Sequence, residues 1–247
     1  MTQFAHDKVV PYKDSTLSKK DQVAGMFNDI AKRYDFLNRF LSIGIDVGWR
    51  KKALQQLEAN HPQHILDVAT GTADVAILAN TILKPEKIIG IDISDGMLEI
   101  GRQKIDKLGF THTITLLNGD SEAIKFPDDS FDAVTVAFGV RNFQHLEAGL
   151  TEIKRVLKPG GKLVVLEFSK PTSPLVRVLY NFYMKIVTPS MGKLFSKNAA
   201  AYQYLDASIQ KFPEGKAFVS VLNNIEYKNT YHKKLTLGIC SIYCGIK

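Results

Sequence analysis

Cysteine is scarce in this chain, with two in 247 residues, and tryptophan occurs once. Cys240 and Cys244 stand four apart in an alternating terminal segment. On a strand that spacing separates them by about 13 Å, beyond the ~7 Å that a disulfide spans. They read as small strand residues, and no metal clip is expected. No apolar run approaches the ~18 residues of a membrane helix. The first residues lack the basic and apolar regions of a signal peptide. A cytoplasmic protein is expected. Runs of one charge are missing too: the net charge is +7, yet no lysine run exceeds two. With no arginine-rich arm and no aromatic-basic interleaving, nucleic acid is not an expected partner. The basic balance suits transient contact with an anionic membrane surface, such as the inner face of a membrane. A homodimer is left open.

What is present is an ordered alternation. From Ser18, Val23, Met26, Phe27, Ile30, Ala31, Tyr34 and Leu37 recur at helical spacing. Ser18 reads as the N-cap, with Asp21 three residues on. Asp46–Leu57 reads as a second helix. Strands are predicted at 64–69, 87–92, 113–118, 132–138 and 162–168, with helices near 74–83, 95–108 and 145–157. Runs such as Ile88-Ile89-Gly90-Ile91 and Leu163-Val164-Val165-Leu166 fit strands buried on both faces of a parallel sheet. The expected fold is α/β, a doubly wound, Rossmann-like, mostly parallel seven-stranded sheet ending in an antiparallel hairpin near 224–236 and 239–246. A single domain over 1–247 is expected. It comprises a mobile arm at 1–17, a helical cap at 18–60 and an aromatic-rich helical insertion at 170–213, broken at Pro189 and Gly192.

Candidate site residues fall at strand ends. Asp67-Val-Ala-Thr-Gly-Thr-Ala-Asp74 closes the first strand with a turn of small residues that a ligand can approach closely. A dinucleotide fingerprint needs Gly-x-Gly-x-x-Gly. This turn has Gly71 alone, and Asp74 would oppose a pyrophosphate. A cationic sulfonium meets no such conflict, which favours S-adenosylmethionine (SAM). Asp92, ending the second strand, suits ribose hydroxyls, and Ser94 reads as the following N-cap. Asp120 and Ser121 end the third strand and suit an adenine amino group, with Ile93 or Phe126 packing on the ring. Phe138-Gly-Val-Arg-Asn142 ends the fourth. There Arg141 has two readings, an oxyanion donor or the partner of a nearby acid, and Asn142 can both donate and accept.

The chain resembles the ubiquinone/menaquinone-biosynthesis C-methyltransferase family of class I SAM-dependent enzymes over about residues 20–247. The resemblance rests on Arg33-Tyr-Asp-Phe-Leu-Asn38, Leu41-Ser42, Trp49-Arg50, the Asp67–Asp74 turn, Phe138–Asn142 and the whole Arg155–Ser169 run. Pro189–Gly192, Tyr202–Leu205, Ser208-Ile209, Phe212-Pro213 and Leu235–Ile239 extend it. It implies SAM as methyl donor, with no metal, and Thr72, Asp92, Asp120 and Ser121 as SAM contacts beside Asp67, Gly71 and Ile93. Asp46 replaces a family histidine before the tryptophan, Thr70 and Ala73 stand where glycines are common, and Ala137 replaces a serine.

The implied reaction methylates a ring carbon of a polyprenyl quinol, demethylmenaquinol being the first choice. Arg141 would then stabilise a developing phenolate and Asn142 would orient the ring. The proton would pass to His145 or to a water held by Asp35 or Tyr34, although His145 reads equally well as a surface residue at a helix start. Tyr34 and Tyr202 are expected to touch the substrate, and the aromatics of 174–205 with helix 23–41 to accept its tail. Three other readings stand beside this one. They are a SAM enzyme acting on RNA or another small molecule, a non-catalytic SAM-fold binding subunit, and an NAD dehydrogenase, the last disfavoured by the missing glycines.

Overall fold

The computed structural model describes residues 4–42, 44–171, 173–182 and 199–247. Two helices come first, α1 (Lys19–Leu41) and α2 (Ile45–Leu54), followed by a 3-10 turn at Gln55–Asn60. The alternating core is β1 (His64–Val68), α3 (Asp74–Leu83), β2 (Lys87–Asp92), α4 (Asp95–Lys107), β3 (Ile114–Asn118), β4 (Phe131–Ala137), α5 (Leu146–Val156) and β5 (Leu157–Phe168). Then come α6 (Pro174–Phe182), α7 (Ala199–Lys211), α8 (Lys216–Asn224), β6 (Lys228–Leu235) and β7 (Cys240–Ile246). Pro189 and Gly192 lie outside the described residues. Among the described residues no helix is long and apolar enough to cross a membrane.

The seven strands run in the order β3-β2-β1-β4-β5-β7-β6. β1 to β5 pair in parallel, while β7 runs antiparallel to both β5 and β6. The sheet is the mostly parallel, hairpin-ended α/β sheet expected from the alternation. β1 and β4 are the neighbours from which the chain winds outward in opposite directions, so a crevice opens beyond their carboxyl ends. Ile65, Leu66, Ile88, Val134, Val165 and Leu163 are fully buried, which explains strands apolar on both faces.

Local chemistry sets several boundaries. Ser18 accepts the Asp21 N–H at the start of α1, and Ser94 accepts the Met97 N–H at the start of α4, both as capping predicts. The second helix ends at Leu54, short of Leu57, and tightens into the 3-10 turn. β5 begins earlier than expected, at Leu157. The register to β4 jumps from Phe131↔Leu157 to Ala133↔Lys162, so Lys158–Gly161 loop out of the ladder. Gly160 sits at φ +80°, and a Cβ on Gly161 would lie 2.8 Å from the Lys158 carbonyl, so the Pro-Gly-Gly turn is a steric requirement. Cys240 and Cys244 are free, buried β7 residues facing Phe168 and Val164 of β5.

The expectation of a loose arm over 1–17 needs correction for residues 4–12. His6 is fully buried against Phe212, with ring centroids 5.3 Å apart. Val9 and Tyr12 pack on Val23, Met26 and Tyr204. The buried Lys19 ammonium donates to the His6 carbonyl at 2.9 Å and reaches the Arg141 carbonyl at 3.5 Å. Apolar and aromatic side chains at close spacing in this short segment give it enough burial to dock.

Gly90 in β2 shows how tightly this layer closes. A Cβ on Gly90 would lie 2.5 Å from Leu116 and 2.8 Å from the Thr70 hydroxyl. Gly90→Ala is expected to destabilise the protein by about 1–3 kcal/mol, as overpacking of a filled core does. Urea unfolding measures this, and an unchanged midpoint would contradict the packing described.

Candidate functional site

The crevice at the carboxyl ends of β1, β2 and β4 holds an open cleft, about 660 Å³ when counted out to its mouth. The β1 turn forms its floor. Ala69, Gly71 and Ala73 all adopt positive φ, at +54°, +55° and +66°, and Phe138 at the end of β4 does so at +57°. Three non-glycine residues in the left-handed region store backbone strain of a kind that gathers at ligand sites. Small side chains make the turn possible: a Cβ on Gly139 would stand 2.6 Å from the Ala69 Cβ.

Asp92 organises this floor. Its Oδ2 accepts the Gly71 N–H at 2.8 Å and its Oδ1 the Ser94 N–H at 2.9 Å. Burial raises its pKa, against the pull of these backbone donors. The N–H that would cradle a phosphate is therefore already given to a carboxylate, and a pyrophosphate would meet negative charge instead. Asp120 lies on the neighbouring rim, with its Oδ1 accepting from the Glu122 N–H and its Oδ2 from the Lys20 ammonium. Among the described residues, the cleft is lined by Asp92, Asp120 and Glu122 against the cation Lys20. That balance suits a cationic ligand.

Of the expected site residues, Gly71, Asp92, Ile93, Asp120, Ser121, Asn142 and Tyr34 line the cleft together. Tyr34 meets Phe27 edge-on at 5.9 Å. The side chain of Tyr202 lies outside the described residues, and its backbone is in α7.

Four expectations are corrected. Asp67 is buried beneath the turn, accepting from Thr70 Oγ1 and Thr135 Oγ1, each at 2.6 Å. Its side chain braces β1 against β4 and does not line the cleft. Burial, opposed by these hydroxyls, raises its pKa to about 6. Thr72 is also buried, donating to Asp35, which pairs with Lys104 at 3.0 Å. Lys104 pairs with Asp74 as well, so these residues clamp α1 onto α3 and α4. Asp35 is thus committed away from the cleft. Phe126 packs edge-on against Phe131 at 5.2 Å, in the core. His145 is exposed and tied through Nδ1 to Glu122 at 2.8 Å, which matches its surface reading.

Arg141 has two readings, of which the structure shows the partner of a nearby acid rather than a donor facing the cleft. Its Nη1 pairs with the fully buried Glu167 at 2.7 Å and donates to the Phe138 carbonyl, and its guanidinium lies over Phe168. Glu167 is pushed up by burial and held down by Arg141. The pair fixes the Phe138–Asn142 turn from behind, and the adjacent Asn142 side chain reaches the cleft wall. Three buried polar atoms near this turn have no hydrogen-bond partner among the described residues: Arg141 Nε, Asn142 Oδ1 and the Tyr204 hydroxyl.

Sequence reasoning missed Lys20, Phe27, Met97, Glu122, Phe143 and Gln144, all of which line the cleft. The helical period of α1 placed Val23, Phe27 and Tyr34 on one face, which was the available signal. Nothing in the sequence linked Lys20 to Asp120, a hundred residues away.

The profile of the ubiE/COQ5 methyltransferase family matches residues 15–247. A demethylmenaquinone methyltransferase of Bacteroides fragilis is 45% identical over 244 residues, 99% of each chain. A ubiquinone/menaquinone biosynthesis C-methyltransferase of Geobacter sulfurreducens is 44% identical over 93% of this chain and 90% of its own. Among solved structures, the [4+2]-cyclase SpnF superposes with a TM-score of 0.63 at 15% identity, covering 92% of this chain and 96% of that one. A SAM-dependent methyltransferase of Thermotoga maritima gives 0.58 at 19% identity, covering 90% of this chain and all of its own. These structures share the fold.

Two outcomes test the buried charges. Arg141→Ala leaves the Glu167 carboxyl without its partner and is expected to cost about 3–5 kcal/mol in urea unfolding. Adding Glu167→Gln should recover part of that loss; no recovery would mean the pair is not what matters. For Asp67, a folded pKa near 6 against a usual 3.8 means the native state holds the proton more tightly. Its contribution to stability therefore falls as pH rises from about 4 to 6, by roughly 3 kcal/mol at ~1.4 kcal/mol per unit. Asp67→Asn removes that dependence, so its stability relative to the parent should rise across this window. A pH-independent difference would overturn the assignment.

Proposed function

Because the chain belongs to the ubiE/COQ5 methyltransferase family, we propose that it transfers a methyl group from SAM to a ring carbon of a polyprenyl quinol, converting demethylmenaquinol to menaquinol. It is a SAM-dependent methyltransferase of menaquinone biosynthesis, as its near full-length relatives are named. The observation that carries the donor assignment is the Asp92 carboxylate. Each oxygen takes one backbone N–H and keeps a lone pair for one of two ribose hydroxyls. Asp120 and Ser121 would meet the adenine edge and Ile93 its face, with Gly71 leaving room for the amino-acid end. The net acidic rim suits the sulfonium.

The chemistry asks little of the protein beyond placement. A quinol hydroxyl gives up its proton, and the ring pushes electrons to the adjacent carbon. That carbon forms the new C–C bond as the S–CH3 bond breaks, leaving S-adenosylhomocysteine. Loss of the ring carbon's proton and reprotonation of the oxygen restore the quinol, releasing one proton overall. Carbon, methyl and sulfur need only be held in line, ~3–3.5 Å apart, with water excluded. Asn142, which lines the cleft, would orient the ring through its side-chain amide. Arg141 acts as a positioning residue through the turn. Phe27 and Tyr34 would pack on the ring and the first prenyl unit. The tail's apolar surface also favours transient contact with a membrane.

Purified protein given SAM and a demethylated menaquinol should yield the methylated quinol and S-adenosylhomocysteine in equal amounts. Asp92→Ala should weaken SAM binding by tenfold or more, about 1.4 kcal/mol, by calorimetric titration. Asn142→Ala should keep SAM affinity and lose kcat. A deletion strain should accumulate the unmethylated quinone. Absence of SAM association by the parent would end this reading.

A further inference from the structure

Lys20 reaches the cleft from the first turn of α1, and its backbone is anchored there. Its N–H donates to the Gln144 side chain at 3.2 Å. The preceding Lys19 is buried, with its ammonium on the His6 carbonyl at 2.9 Å. The Gln22 side chain donates to the Leu17 carbonyl at 2.8 Å and accepts the Tyr12 N–H at 2.9 Å. The stem of Lys20 therefore starts from a fixed point, and only its own side-chain rotations are left to be ordered.

Its ammonium lies between two acids. It donates to Asp120 Oδ2 and stands 3.9 Å from Glu122 Oε2. Glu122 is fixed, with Oε1 accepting the His145 N–H and Oε2 meeting the His145 ring, each at 2.8 Å. Asp120 is held on one side by the Glu122 N–H, at 2.9 Å from Oδ1, and on the other by Lys20. Its side chain is 27% exposed, so a ligand can reach it. Without the cation, Asp120 would face the fixed charge of Glu122 unshielded and turn away from it. With the cation in place, Oδ2 stays put and keeps a second lone pair for a donor on the ligand.

We propose that Lys20 is the positioning residue of the adenine end: by holding Asp120 Oδ2 it aims the carboxylate's free lone pair at the adenine amino group, and so sets the preference for adenine over a base without that donor. The proposal rests on SAM being the methyl donor. An acceptor aimed at an amino group rejects a base that carries an oxygen there, because two acceptors then face each other. The discrimination belongs to the orientation of Asp120, and Lys20 supplies that orientation from outside the reacting atoms.

The test is calorimetric titration of the full chain with S-adenosylhomocysteine and with its deaminated analogue S-inosylhomocysteine, whose base carries an oxygen in place of the amino group. The parent should bind the adenine compound more tightly by about tenfold or more. Lys20→Met keeps the apolar stem and removes the cation. It should weaken S-adenosylhomocysteine by about tenfold and S-inosylhomocysteine by less than about threefold, so that the preference shrinks. Lys20→Arg should restore most of the preference, and Lys20→Gln serves if circular dichroism shows the Met variant misfolded. Equal weakening of both compounds would mean a merely structural role for Lys20, and unchanged binding of both would mean that Asp120 is aimed without it. Either result overturns the proposal while leaving SAM as the donor. A parent that binds neither compound fails the SAM reading itself, and this proposal with it.

Discussion

One hydrogen bond sets the terms for the rest of the cleft, the Gly71 N–H held by the Asp92 carboxylate. It joins the turn after β1 to the end of β2 and spends a backbone donor of that turn on a protein carboxylate. A phosphate-binding α/β site keeps that donor open. Here the turn is held in left-handed backbone at Ala69, Gly71 and Ala73, and this bond puts a carboxylate where such a site would place a phosphate. The buried Asp67 below it, braced by two threonine hydroxyls, supports the same turn from the sheet side.

The fold was largely legible because the sheet writes its own pattern. Strands buried on both faces must be apolar throughout, and runs such as Leu163–Leu166 cannot be surface segments. The rim residues Asp92, Asp120 and Ser121 were legible for a related reason, since a polar residue directly after a buried strand has to emerge at the sheet's edge. Asp67 and Thr72 carried the same signal and went elsewhere. Asp67 lies within β1, still under the layer, where Thr70 and Thr135 can satisfy it. Thr72 faces α1, not the crevice. Which way a side chain turns at such a place depends on partners far along the chain. Lys20 on Asp120 and Glu167 on Arg141 are pairings that no local period encodes.

The segment most distinctive in sequence is distinctive for structural reasons. Arg155 donates to the Ile124 and Phe126 carbonyls and pairs with Asp128 and Glu152. Gly160 and Gly161 make the loop-out in β5, Glu167 holds Arg141, and Ser169 bonds the Gly238 carbonyl and Ser241. The run thus fixes the loop after β3, the turn after β4 and the final hairpin relative to one another. Its specificity belongs to the frame around the chemistry, while the chemistry rests on shorter and plainer motifs.

The Lys19 ammonium joins two parts of the protein that the sequence keeps far apart. It binds the His6 carbonyl on one side and approaches the Arg141 carbonyl on the other, and burial lowers its pKa to about 8. The span matched by the family profile begins at residue 15, so the acceptor at His6 is supplied from beyond it. The back of the turn after β4 is therefore buttressed by a stretch that lies before the matched span. A change at His6 would be felt behind that turn through Lys19, with every motif in the cleft untouched.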